Sequence, residues 1–137
     1  MEKPFIIVVD DDDDDRYLLH YSFAEMGLDD HVKFFGDALQ FIKYTELISS
    51  LNVKPSLIIL DYKMPYMNGK AVVSYLKSNS FFKEVPVIIL SHEVTDDVKN
   101  KLFDLGVTAC YQKGLNYEEL GAELKEIIKF AVPVENK

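Results

Sequence analysis

Three short apolar runs constrain the fold of this chain most: Phe5–Val9, Leu57–Leu60 and Val85–Leu90. Each is rich in Ile and Val, and none alternates with polar residues. That pattern belongs to strands covered on both faces, as in a parallel sheet flanked by helices. His31–Phe35 and Ala109–Gln112 are weaker strand candidates. Helical stripes separate the runs. Leu19, Phe23 and Met26 recur at i, i+4, i+7, with Gly27 as a stop signal. Ala38, Phe41, Ile42 and Thr45 form a second stripe; Val72, Val73 and Leu76 a third; Val98, Leu102 and Leu105 a fourth, closed by Gly106. Leu120, Leu124, Ile127, Ile128 and Ala131 form the longest.

The order strand–helix, repeated, predicts an α/β fold of (βα)5 type. Right-handed crossovers then place helices on both faces of a five-stranded parallel sheet. Ligands bind such open sheets beyond the carboxyl ends of the strands. Chemistry is therefore expected just after Val9, Leu60, Leu90 and Gln112.

The 137 residues suit one domain, expected over 1–131, with 132–137 as a short polar tail after Pro133. Acidic residues outnumber basic ones by 23 to 15, giving a net charge of −8. That argues against general nucleic-acid binding, which requires a basic face. Cys110 is the single cysteine, so no internal disulfide can form. The apolar run before the acidic stretch is too short for a signal segment or a membrane span, and a cytoplasmic location is the expectation.

The expected strand ends carry an unusual set of groups. Asp10 to Asp15 are six consecutive aspartates. Asp13, Asp14 and Asp15 suit the first turn of a helix, where carboxylates meet the positive end of the dipole. Asp10 and Asp11 follow directly from a buried strand, where crowded carboxylates repel unless a cation joins them. Hard oxygen donors at a partly hydrated site suit Mg²⁺. Asp61 follows Leu60 in the same way and enters a loop with a Pro and an Asn-Gly turn signal. A carboxylate there is a possible covalent nucleophile for phosphoryl groups. Ser91 ends the fourth strand and Lys113 follows the fifth, offering a hydroxyl and an ammonium to phosphoryl oxygens.

In VVDDDDDDR (8–16), LIILDYKMPYMNG (57–69), VPVIILS (85–91) and Lys113 the chain resembles the receiver domain of bacterial two-component response regulators, over about residues 4 to 131. The stand-alone, chemotaxis-regulator-like form is the nearer likeness. The resemblance implies a flavodoxin-like, doubly wound sheet in the order 2-1-3-4-5. It implies that Asp61 is the phospho-acceptor, and that Asp11, Asp61 and the Lys63 backbone carbonyl hold Mg²⁺, or Mn²⁺, directly and Asp10 through water. Ser91 and Lys113 would bind the phosphoryl group. The donor would be a phosphohistidine of a sensor histidine kinase or histidine phosphotransfer protein. The output would be contact with a downstream protein through about residues 95–130, or phosphorelay. The chain would then be a self-phosphorylating and self-dephosphorylating switch rather than an enzyme acting on a separate substrate, with neither nucleic acid nor membrane as partner.

Three positions depart from the family pattern. His92 stands where a small residue is common, Gly114 where Pro is common, and Cys110 where an aromatic switch residue is common. Without Pro, a cis Lys113–Gly114 bond would cost ~3–4 kcal/mol, so a trans bond is expected. Tyr111 should face away from the Cys110 side, because side chains alternate along a strand. Cys110 reads as a small buried filler. Lys63 and Glu93 border the expected phosphoryl position, and with His92 they are the expected site-tuning residues. Lys63 and Glu93 could pair across the mouth and tune access of water. Two other readings compete: an aspartyl-phosphate phosphatase of the haloacid dehalogenase type built on Asp10-x-Asp12, and a phosphorylation-independent pseudo-receiver.

Overall fold

The computed structural model describes residues 4–65 and 67–131. The proposed tail, 132–137, lies outside the described residues. Five strands alternate with five helices: β1 (Ile6–Val9), α1 (Asp13–Glu25), β2 (Val32–Phe35), α2 (Ala38–Ser50), β3 (Leu57–Leu60), α3 (Gly69–Ser78), β4 (Val87–Ser91), α4 (Asp96–Leu105), β5 (Ala109–Gln112) and α5 (Tyr117–Ile127). Single 3₁₀ turns occupy Asp29–His31 and Ile128–Phe130. The strands form one parallel sheet in the order β2-β1-β3-β4-β5, as the resemblance implies.

Alternation within the buried strands divides the core between two faces. Ile7, Val9, Ile58, Leu60, Val87 and Ile89 pack with Phe41, Val72, Leu76 and Leu102, beneath α2, α3 and α4. Ile6, Val8, Leu57, Ile59, Ile88 and Leu90 pack with Leu19, Phe23, Leu120 and Leu124, beneath α1 and α5. β1, β3 and β4 are buried along their whole length. Neither side of them faces solvent, which is why their apolar runs do not alternate with polar residues.

β1 and β2 each begin one residue later than expected, at Ile6 and Val32, His31 belonging to the preceding 3₁₀ turn, and two larger differences have a plain cause. β4 begins at Val87 rather than Val85, because Pro86 has no N–H and joins the sheet only through its carbonyl, which accepts from Ile58 at 3.0 Å. α5 ends at Ile127, and Ile128 to Phe130 tighten into a 3₁₀ turn, so the longest apolar stripe spans two kinds of helix. Gly106 caps α4 at φ 109°, a left-handed conformation that favours glycine. All peptide bonds among the described residues are trans, including Lys113–Gly114. No helix of the described residues is long and apolar enough to cross a membrane.

Candidate phosphoryl-acceptor and metal site

Parallel pairing in register brings the strand ends to one edge. Val9 pairs with Leu60, and Leu60 with Ile89. The ladder continues one residue further: Asp10 N donates to Phe35 O at 3.0 Å, Asp61 N to Val9 O at 2.9 Å, and Lys113 N to Ser91 O at 2.8 Å. Asp10, Asp61, Ser91 and Lys113 thus converge from four strands, and all four are buried. Asp11 follows Asp10 and is exposed. Asp11, Asp61 and Ser91 border a cleft of about 330 Å³ that Asp12, Asp15, Lys63, His92 and Glu93 also line.

Asp61 is held at both oxygens. Ser91 Oγ donates to Oδ1 at 2.7 Å, and the Lys63 N–H approaches the same atom at 3.3 Å. Lys113 Nζ donates to Oδ2 at 3.2 Å. The ammonium also meets Asp10 Oδ2 at 2.8 Å and Asp15 Oδ2 at 2.7 Å, with its side chain only 1% exposed. Burial works against the charged form of Lys113, but the bonds to Asp10 and Asp15 more than offset it and its pKa is raised. For Asp10 burial is the largest influence. It outweighs the pull of Lys113, and the carboxyl is pushed up to about 6. Burial also pushes Asp15 up, but Lys113 and His92 pull it below its ordinary value.

The residues suit a hard divalent cation. Asp10, Asp11 and Asp61 each offer a carboxylate oxygen, all within 4.8 Å of one another. One oxygen of Asp10 accepts from Asp12 N at 3.0 Å and the other from Lys113, which leaves Asp11 the least committed donor. The Arg16 guanidinium donates to the Asp10 carbonyl at 2.6 Å and pairs with Asp13, bracing this turn. An all-oxygen set of two or three carboxylates beside open solvent is what Mg²⁺ or Mn²⁺ takes.

The six aspartates have separate tasks. Asp12 caps α1, its carboxylate accepting from Asp15 N at 2.8 Å. That commitment leaves the Asp10-x-Asp12 phosphatase reading without its second acid. Asp13, Asp14 and Asp15 occupy the first helical turn as expected. Asp15 also turns inward onto Lys113 and His92, a role that the sequence reading did not assign. The available signal was its place one helical turn beyond Asp11. Of the positions expected to tune the site, Lys63 pairs with Glu93 at 3.6 Å across the mouth, both being largely exposed. His92 Nε2 reaches Asp15 Oδ2 at 3.0 Å.

Cys110 stands apart from this cluster. It packs against the α2–α4 face while Tyr111 packs against the α1–α5 face, as strand alternation requires. It is half-buried rather than buried, beside a small recess with Val94, Lys99 and Gln112. Burial raises its thiol pKa.

A family model described as the response regulator receiver domain matches residues 6–125. The probable methanogenesis regulatory protein FilR2 of Methanothrix harundinacea is 25% identical over 131 residues, spanning 94% of this chain and 84% of that protein. Against two further curated relatives, a hybrid histidine kinase and a plant response regulator, the chain spans less than half of their length. Among solved structures, the phosphorylated cyanobacterial phytochrome response regulator RcpA superposes with a TM-score of 0.86 at 25% identity, over 98% of both chains. The Mn²⁺-bound form of response regulator Rcp1 superposes with a TM-score of 0.82 at 23% identity, again over 98% of both.

Proposed function

This chain belongs to the response regulator receiver domain family, and from that premise we propose that Asp61 is its phospho-acceptor. It is a receiver domain of two-component signalling, with an acidic pocket consistent with phosphoryl acceptance and metal binding. The observation that carries the assignment is the setting of Asp61: a hydroxyl on one oxygen, an ammonium on the other, and two further carboxylates within metal-sharing distance.

In this reading one carboxylate oxygen of Asp61 attacks the phosphorus of a phosphohistidine. The new O–P bond forms as the P–N bond breaks, and the imidazole leaves. Ser91 and Lys113 shift from the carboxylate to phosphoryl oxygens, so the donors already on Asp61 become those that hold the product. Asp10, Asp11, Asp61 and the Lys63 carbonyl would hold Mg²⁺, which supplies charge neutralisation between the carboxylates and the phosphoryl group. The Mn²⁺ bound by Rcp1 supports the choice of a divalent ion. The donor is a sensor histidine kinase or histidine phosphotransfer protein. The phosphorylated chain signals by protein contact through about residues 95–130, or passes the group onward. Residues 1–131 act as one unit in the cytoplasm, with no nucleic-acid or membrane partner and no separate substrate.

Incubation with acetyl phosphate and Mg²⁺, followed by intact mass, tests this. One added phosphoryl group, absent in Asp61→Asn, is the expected result. Unchanged labelling of Asp61→Asn would remove Asp61 from the role.

A further inference from the structure

Lys113 has three N–H donors, and each meets a carboxylate: Asp10 at 2.8 Å, Asp15 at 2.7 Å and Asp61 at 3.2 Å. The Asp15 contact is the shortest of the three. It comes from α1 rather than from a strand end, and it spans 98 residues. The same Asp15 oxygen also accepts from His92 Nε2 at 3.0 Å. A nearly inaccessible ammonium cannot exchange these partners for water, so its position is fixed by how the carboxylates share it. To meet a phosphoryl group on Asp61 the ammonium must move off at least part of this set.

We propose that Asp15 is a positioning residue for Lys113: it holds the ammonium toward α1 and thereby slows phosphorylation of Asp61, while His92 weakens that hold by sharing the same oxygen. The proposal rests on Asp61 being the acceptor. Two physical effects act in one direction. An ammonium already compensated by Asp15 offers less field to the charge that develops during transfer. The Asp15 charge also opposes the approach of an anionic donor to a cleft that is acidic already. His92 is the counterweight, because each hydrogen bond it gives to Asp15 is electron density withdrawn from Lys113.

The test is the initial rate of phosphoryl uptake from acetyl phosphate, followed by intact mass, with Mg²⁺ titrated to saturation for every variant. Asp15→Asn keeps the shape and removes the charge; it is expected to raise the rate roughly tenfold. His92→Ala is expected to lower it by a smaller factor, and to have no effect once Asp15→Asn is present. In a Lys113→Met background Asp15→Asn is expected to accelerate uptake much less, because no ammonium remains to be held and only the repulsion of the donor is relieved. An unchanged or slower rate for Asp15→Asn overturns the proposal. So does an equal acceleration in the Lys113→Met background, which would mean that bulk charge alone is at work. Failure of the wild-type chain to take up phosphate would instead remove the acceptor reading beneath it, and is told apart by that control.

Discussion

The Ser91 hydroxyl donates to Asp61 Oδ1 at 2.7 Å, across 30 residues of sequence and inside the buried edge of the sheet. The bond fixes which carboxylate oxygen is already solvated by the protein and which faces Lys113. Ser91→Ala leaves that oxygen with only the Lys63 N–H. Loss of a hydrogen bond to a charged group is worth about 1.5–3 kcal/mol. If the bond persists onto the phosphoryl group, uptake from acetyl phosphate should fall at least about tenfold. Rates of labelling for wild type and Ser91→Ala check this; equal rates would mean that the hydroxyl serves only the resting state.

Asp10 links metal binding to pH. Burial, opposed by Lys113, lifts its carboxyl from 3.8 to about 6. Between those values the folded, metal-free chain binds more protons at this site than the unfolded chain. Its stability therefore falls as pH rises through that window, and ionised Asp10 remains a cost above it. A divalent ion favours the ionised form, so Mg²⁺ binding should strengthen with rising pH. Apparent Mg²⁺ affinity is expected to be roughly tenfold weaker at pH 5 than at pH 7. The rise in melting temperature on adding Mg²⁺ should be larger at pH 7. A larger rise at pH 5 would contradict the assignment.

Gly114 shows why the common proline is absent here. A Cβ at this position would lie 2.5 Å from Glu119 Cβ and 2.9 Å from Leu120 N, so the turn before α5 has no space for one. Its N–H also donates to Glu123 Oε1 at 2.9 Å, a bond that proline cannot make. Gly114→Pro is expected to lower unfolding stability by about 2–4 kcal/mol, from overpacking and the lost bond together. Urea denaturation measures it; a change below about 0.5 kcal/mol would show that the loop adapts freely.

Lys63 and Glu93 make an exposed pair at 3.6 Å over the cleft mouth. Exposed pairs contribute little to stability, so Lys63→Ala and Glu93→Ala should unfold within about 0.5 kcal/mol of wild type. The effect should fall on hydrolysis: opening the mouth admits water, and each variant is expected to lose its phosphoryl group faster. Unchanged dephosphorylation rates would reduce the pair to surface charges.

Much of this was legible in the sequence because strand ends are. A short Ile- and Leu-rich run between turn signals, such as Leu57 to Leu60, suits a doubly covered strand, which places Asp61 at the sheet edge, and the same pattern places Asp10 and Ser91. Lys113 was placed by its position after the weakest strand, where only the resemblance lent weight. Asp15 was hidden for a physical reason. In an unbroken run of aspartates any member can cap a helix, and which one turns inward depends on helix phase relative to a lysine 98 residues away. Neither the opposing faces of Cys110 and Tyr111 nor the trans Gly114 bond required more than strand alternation and the cost of a cis peptide. The steric reason for Gly114 lies in the approach of α5, which no local pattern records.

The most direct measurement is the position of the acyl phosphate itself. Borohydride reduction of the phosphorylated chain converts an aspartyl phosphate to homoserine, which peptide mass spectrometry then locates. Homoserine at position 61 alone is the expected result. Homoserine at position 10 or 11, or at none of the aspartates of the cleft, would contradict the assignment of Asp61 as acceptor.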